Sequence, residues 1–242
     1  MTRYRYGLAL AAGCMALAGC GGGGVGTVAL PPTGTTFALS AAVSALETSG
    51  MQRTASVSGN ATVSGVQYPV SGSVTLTLAP ISAPTIFNGQ SALLSSGAYG
   101  GSVTIGGQSI ALNETAQAYL STQFEPLGYV TSGAYCVAPT PGVVPASVAL
   151  GDAATVVDYQ CYADAAMAAP SGTESLSYAI KPGVSSTTVT VALTTRFLDA
   201  GGQQTGLEED DYLLDTAGVL TLRSASLAGT FSGIAMTLQL AF

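Results

Sequence analysis

The strongest concentration of charge in this 242-residue chain is a run of four acids, Glu208-Glu209-Asp210-Asp211. Calcium prefers carboxylate oxygens as ligands, so the run is a weak calcium candidate, although the loop pattern of common calcium sites is missing. On a strand, successive side chains point to opposite faces, which separates Glu208 and Asp210 from the other two acids. The sequence favours solvated hairpin ends here, with Arg196 opposite Glu209 as a cross-strand ion pair.

Paired carboxylates for glycoside hydrolysis are a second possible chemistry. Such enzymes hold two carboxyl groups about 5–9.5 Å apart. The candidate acids lie mostly near the ends of predicted strands: Glu114, Glu125, Asp158, Asp164 and Glu174. The sequence does not indicate which two would meet, and the chain has no tryptophan to stack on a sugar. A carboxylate-based hydrolase is therefore the second alternative for function.

Histidine does not occur in the sequence. Its absence excludes a Ser-His-Asp triad, a Cys-His pair and histidine metal ligands. No glycine-rich nucleotide-binding motif is present either, so we expect no cofactor. The residue types predict a protein that is not an enzyme, without catalytic residues and without a metal site beyond the weak calcium candidate.

The N-terminus has the organisation of an export signal. Two arginines and an apolar run at 8–18 lead into Leu17-Ala18-Gly19-Cys20, as in secretory signal peptides. These four residues resemble the lipobox of bacterial lipoproteins. The resemblance implies that residues 1–19 are removed and that Cys20 carries a diacylglycerol and an N-acyl chain such as palmitate. By the same resemblance, Gly21 after the cysteine implies transfer to the outer membrane, facing the periplasm or the cell surface.

Two cysteines remain once the signal is removed and Cys20 is lipidated, namely Cys136 and Cys161. An even pair in an oxidising compartment predicts a disulfide. Closing a loop of this size stabilises a fold by roughly 3.5 kcal/mol in the chain-entropy model. Two cysteines without any histidine argue against a metal site.

The composition changes after Cys20 and divides the chain into segments. Residues 20–36 are rich in glycine and contain two prolines, which is typical of a flexible tether. The remainder predicts an N-terminal β half at 37–132 and a C-terminal β half at 133–242. The boundary lies just before a proline-rich loop, and the two halves can also form one domain.

A single helix is predicted at about 38–49. Leu39, Val43 and Leu46 follow helical spacing, Thr36 is a candidate N-cap, and Gly50 is placed to end the helix. An alternating strand also fits the same residues.

The rest of the body follows the period-two pattern of strands, with turn signals at Asn88-Gly89 and Gly106-Gly107. The fold class is mainly β, an antiparallel meander that forms a sandwich, a curved sheet or an up-and-down barrel. The mature chain has nine tyrosines, which we expect to be half-buried rings at strand ends. The last strand, 234–242, alternates as the final strand of outer-membrane barrels does, but short strands and few aromatic residues favour a last strand packed into the body.

Composition limits the partners. Without the signal, four cations face 13 acids, a net charge of −9, so nucleic acid is not an expected partner. The body is similar in style to β-rich lipoproteins of Gram-negative envelopes. We expect a lipid-anchored envelope protein with a binding or structural role, attached to the membrane by its anchor. The first alternative is a carrier that holds an apolar or acyl ligand in a β-sheet cavity.

Overall fold

The computed structural model describes residues 29–82, 84–231 and 234–242. Within them the chain is mainly β and antiparallel, with one short helix, which confirms the predicted fold class. The predicted signal peptide and Cys20 lie outside the described residues.

The described residues form one helix and thirteen strands. The helix is α1 (Leu39–Ser49), and the strands of the first part are β1 (Met51–Val63), β2 (Val66–Ala79), β3 (Thr85–Phe87), β4 (Gln90–Ile105), β5 (Gln108–Leu120) and β6 (Pro126–Thr131). The strands of the second part are β7 (Tyr135–Val137), β8 (Ala153–Tyr162), β9 (Pro170–Pro182), β10 (Thr188–Asp199), β11 (Gln204–Asp215), β12 (Leu220–Phe231) and β13 (Ile234–Ala241).

Twelve of these strands close into an up-and-down barrel. Each strand pairs with the next along the chain, except that β2 pairs directly with β4. The barrel closes where β13, the last strand of the sequence, lies between β12 and β1. β3 lies outside the ring and pairs with the first residues of β4.

The two predicted halves belong to the same sheet. β6 and β7 pair across the predicted boundary at 132/133, and β1 and β13 join the halves on the other side. The halves therefore share one hydrogen-bonded ring.

The predicted hairpin turns are present. Asn88 and Gly89 both have positive φ, 46° and 78°, and Gly106 and Gly107 have 57° and 83°. Two residues of positive φ give the primed turns whose twist matches that of a hairpin. In the proline-containing stretch that follows β7, Val148 forms a single bridge with Phe37.

The helix forms, but its N-cap differs from the prediction. The N-cap is Ala38, with no side-chain hydrogen bond, so Thr36 does not cap α1. At the other end Gly50 has φ of 71° and donates its N–H to the carbonyl of Leu46, 2.8 Å away. No helix in the described parts of the chain is long and apolar enough to cross a membrane.

The barrel has two unlike ends. At one end, called the capped end, α1 packs against the wall near the connections 121–125, 138–152 and 216–219. Leu39 and Ala42 of the helix are buried there. The opposite end, called the mouth, carries the turns 132–134, 163–169 and 200–203.

Candidate functional site at the mouth of the barrel

Three acids face the interior of the barrel. On β9, Glu174 alternates in phase with the buried Leu176 and Tyr178. On β11, Glu208 and Asp210 are in phase with Tyr212 and Leu214, which are also buried. Because residues two apart on a strand share a face, the apolar neighbours fix the inward direction of these carboxyl groups.

The four-acid run is therefore not a solvated hairpin end, which corrects the sequence-based interpretation. Glu208 is 2% exposed and Asp210 is fully buried, whereas Glu209 and Asp211 occupy the outward positions of β11. The four acids consequently do not share one face, and the calcium candidate divides into an inward and an outward pair.

The predicted ion pair between Arg196 and Glu209 is also wrong. Arg196 lies opposite Leu207, and Glu209 lies opposite Thr194. The turn between β10 and β11 contains only residues 200–203, shorter than the sequence suggested. The shorter turn moves the register by two residues.

Glu174 is held by a tyrosine from β6, three strands away around the ring. The Tyr129 hydroxyl, on β6, donates a hydrogen bond to Oε1 of Glu174. The same hydroxyl lies 3.8 Å from Sγ of Cys161. The ring of Tyr159 meets that of Tyr129 edge-on, with centroids 5.4 Å apart. Two aromatic rings and a sulfur thus position this carboxyl group.

Burial changes the acidity of the interior carboxyl groups. Desolvation raises the pKa of Glu174 to about 7, although the hydrogen bond from Tyr129 acts in the opposite direction. Desolvation, followed by the charge of Glu174, raises the pKa of Glu208 to about 8. The pKa of Asp210 is raised well above its usual range, mainly by desolvation and then by the charge of Glu208. Near neutral pH Glu174 and Glu208 can gain or release a proton, or accept a positively charged partner.

A pocket of about 840 Å³ opens at the mouth. Its buried lining residues are Cys161, Gly172 and Glu174. Phe197 and Leu198 of β10 contribute half-buried apolar surface, and the turns 132–134 and 199–201 form part of its rim. The pocket thus combines apolar walls with one buried carboxyl group.

Cys136 and Cys161 lie at disulfide distance and are bonded in the structure. Cys136 on β7 lies directly opposite Cys161 on β8, and both are buried. This arrangement agrees with the predicted pairing. The two sulfurs and the Glu174 carboxylate lie within 4.8 Å of one another, but the bonded sulfurs leave no thiolate ligand for a metal.

The acids considered for glycoside hydrolysis are dispersed. Of the five, only Glu174 lines the mouth pocket. Glu114 accepts a hydrogen bond from Ser132, and Glu125 accepts one from Ser121. Asp158 is exposed on β8, and Asp164 accepts the backbone N–H of Ala166. The predicted candidates therefore provide no second carboxyl group in this pocket.

Five of the nine tyrosines in the described residues are buried, which corrects the expectation of half-buried rings at strand ends. The buried rings are those of Tyr99, Tyr129, Tyr159, Tyr178 and Tyr212. They share the inward face of their strands with small or aliphatic residues. A wide barrel needs large side chains to fill its interior, and these rings supply the volume.

The contact between Tyr129 and Glu174 was not foreseen from the sequence, because 45 residues separate the two. The sequence does contain a signal for the inward direction of the three acids. Each acid stands in the apolar phase of an alternating strand, next to Leu176 on β9 and Tyr212 on β11.

Comparison with known proteins adds no relative: no family model, no curated protein and no solved structure matches this chain.

Proposed function

We propose that this chain is a lipid-anchored protein of the bacterial cell envelope that binds a small ligand at the mouth of its barrel without transforming it. The observation that carries the proposal is the 840 Å³ pocket with the buried Glu174 in its lining. Small-molecule sites are mostly apolar pockets of about 300–1,000 Å³ with a few polar groups that orient the ligand. A titratable group with a shifted pKa inside such a pocket is a further mark of a binding site.

The pocket favours a ligand that carries a positive charge or a strong hydrogen-bond donor. Oε1 of Glu174 accepts the hydrogen bond of Tyr129, which leaves Oε2 for a ligand. Asp199 adds a second acid at the rim, and the lining includes no lysine or arginine. An amine with an apolar body would place its ammonium group on Glu174 and its body against Phe197 and Leu198.

The alternative of an apolar carrier receives less support. The apolar cavity of the barrel lies beneath α1 at the capped end, lined by residues such as Val43, Leu76 and Val191. Its volume is about 80 Å³, well below the ~300 Å³ at which ligand pockets begin. A carboxylate-based hydrolase also receives no support from this pocket, because its second acid, Asp199, is engaged by the backbone N–H groups of Gly201 and Gln203.

The anchor follows from the resemblance of Leu17-Ala18-Gly19-Cys20 to a lipobox. Two or more acyl chains provide stable attachment to a membrane. The outward positions of β1 and β2 are largely serine and threonine, for example Thr54 and Thr75, whose hydroxyl groups lie 2.9 Å apart. This polar wall suits a body that is held at a membrane surface by lipid alone.

Dansylcadaverine, a fluorescent primary amine with an aromatic body, tests the pocket. We expect saturable binding to the mature protein, much weaker binding to Glu174→Gln, and unchanged binding to the outward-facing control Glu209→Gln. N-acetyl-dansylcadaverine has the same body without the charge and should bind weakly. Equal binding of both dyes, or of both variants, would refute the assigned role of Glu174.

The anchor is tested separately in the producing bacterium. Labelling with radioactive palmitate should mark the mature protein, and Cys20→Ala should remove the label and release the protein from the membrane fraction. Cys14→Ala, within the predicted signal, is the matched control and should leave the label in place. An unlabelled wild-type protein would contradict the anchor but would leave the pocket untouched.

A further inference from the structure

The inward pair on β11 contains carboxylate oxygens without partners. Asp210 is fully buried, and neither of its oxygens forms a hydrogen bond within the described parts of the chain. Oε1 of Glu208 is also buried and unpartnered. Buried polar groups in proteins nearly always have a partner, and those without one commonly mark a bound water or ion. Three such oxygens on neighbouring inward positions therefore call for a missing ligand.

The cations of the mature chain do not supply that partner. Lys181, Arg196 and Arg223 are exposed. Arg53 lies on β1 opposite Leu76, at the capped end. Near the acid pair the inward positions are instead apolar: Leu193 lies opposite Asp210 on one side and Ala225 on the other. A pair of acids in such surroundings requires protons or a cation from the medium.

We propose that Glu208 and Asp210 form a calcium site inside the barrel wall. Calcium accepts six to eight oxygen ligands in flexible geometry, and carboxylates bind it through one or both oxygens. Thr195, directly opposite Glu208 and buried, offers a hydroxyl oxygen from β10, and water completes the coordination. A ligand set made only of oxygen selects calcium, magnesium or manganese over zinc and copper.

The site is distinct from the mouth pocket, whose lining includes neither Glu208 nor Asp210. Glu174 affects it only through charge, as part of the cause of the raised pKa of Glu208. The calcium site thus does not depend on the proposed binding of an amine, and the two proposals can fail independently.

The strand itself provides a matched control. Glu208→Gln/Asp210→Asn removes the two inward charges, and Glu209→Gln/Asp211→Asn removes the same number of charges from the outward positions. One oxygen of Asp211 is also buried and unpartnered, but its side chain is half-buried on the outward row. A difference between these two variants therefore reports on the interior and not on net charge.

The first measurement is thermal unfolding of the mature protein in EDTA and in calcium. Calcium at about 100 times its Kd should raise Tm by roughly 5–10 °C for a protein of this size. The outward variant should respond as the wild type does, and the inward variant should not respond. No calcium response in the wild type, or the same loss in both variants, would overturn the site.

The second measurement does not depend on how stable the inward variant is. The chain contains no tryptophan, so Tb³⁺ bound in the barrel can be sensitised only by tyrosine, and Tyr212 lies two residues from Asp210 on the same face. Tyrosine-sensitised Tb³⁺ luminescence should appear in the wild type and the outward variant and be displaced by calcium. Luminescence that calcium does not displace, or that equals the wild type in the inward variant, would also overturn the proposal.

Discussion

The two ends of the barrel differ in how their interior space is filled. A ring of twelve strands encloses more space than its wall side chains fill easily. At the capped end, α1 enters this space with Leu39, Val43 and Leu46 and leaves a cavity of only about 80 Å³. At the mouth, the interior instead holds Glu174 and an open pocket of about 840 Å³. One end is filled, and the other is available for a ligand.

The two ends also differ in the energetic effect of their buried acids, because the acid at the capped end has a hydrogen-bond partner and those nearer the mouth have oxygens without one. At the capped end, the buried acid Glu47 accepts a 2.6 Å hydrogen bond from Ser95. Nearer the mouth, Glu208 and Asp210 remain buried with oxygens that lack partners. Burial of a carboxyl group without a partner lowers the stability of a fold. The presence of these two acids is therefore explained more simply by ligand binding than by a contribution to folding.

The largest expected difference between the ends comes from truncating one phenylalanine at each. Phe37 is 1% exposed and exchanges backbone hydrogen bonds with Val148 beside α1, so Phe37→Ala should cost about 3–5 kcal/mol. Phe197 at the mouth is half-buried, and Phe197→Ala should cost only about 1 kcal/mol. Urea unfolding of both variants checks this, and equal losses would contradict the distinction between the ends.

The disulfide beside the mouth pocket should contribute roughly as much as its loop predicts. Cys136 and Cys161 are 25 residues apart, so Cys136→Ala/Cys161→Ala should lower the free energy of unfolding by about 3.5 kcal/mol. Urea unfolding of the wild type in a dithiol reductant should reproduce the loss, while the reductant should not affect the double variant. An unchanged midpoint in the double variant would show that the cross-link is unimportant for the mouth.

A smaller effect should follow from the protonation of Glu174. Its pKa is about 7 in the fold, against an ordinary value of 4.5, so the folded state holds the proton more tightly than the unfolded state. The protonated group therefore adds to the free energy of unfolding. This contribution is complete below about pH 4.5 and is lost as the pH rises to about 7, and it amounts to about 3 kcal/mol.

Glu174→Gln should therefore gain stability relative to the wild type across this pH window. The comparison, by urea unfolding in EDTA, cancels the parallel contributions of Glu47 and Asp210 and retains the effect of the Glu174 charge on Glu208. Parallel stability curves for the two proteins would contradict a raised pKa at Glu174.

Much of the fold could be predicted from local patterns. The alternation on β9 and β11 marks two strands, and Asn88-Gly89 and Gly106-Gly107 mark two-residue turns. The same alternation contains an unused signal for Glu174, which stands in the buried phase with Leu176 and Tyr178. Four consecutive charges favour a solvated position for the acid run, whereas the phase of the flanking Tyr212 and Leu214 favours burial of Glu208 and Asp210.

The register could not be predicted in the same way. Because the turn contains only residues 200–203, Arg196 lies opposite Leu207 and not opposite Glu209. A shift of two residues leaves the same side chains on the same face, so period-two patterning does not reveal it. The contact of Tyr129 with Glu174 likewise depends on β7 and β8 pairing between β6 and β9, so that the two inward side chains meet.

The sequence by itself determined a mainly β body with one helix, the pairing of Cys136 with Cys161 and, by resemblance, the expectation of a lipid anchor at Cys20. These follow from local spacing, from residue counts and from a short motif. Only the tertiary structure decided that the strands close into a ring, that α1 fills one end and that three acids meet the interior. Closure depends on pairing β1 with β13, residues almost at opposite ends of the described chain, and local chemistry does not encode a contact over that distance.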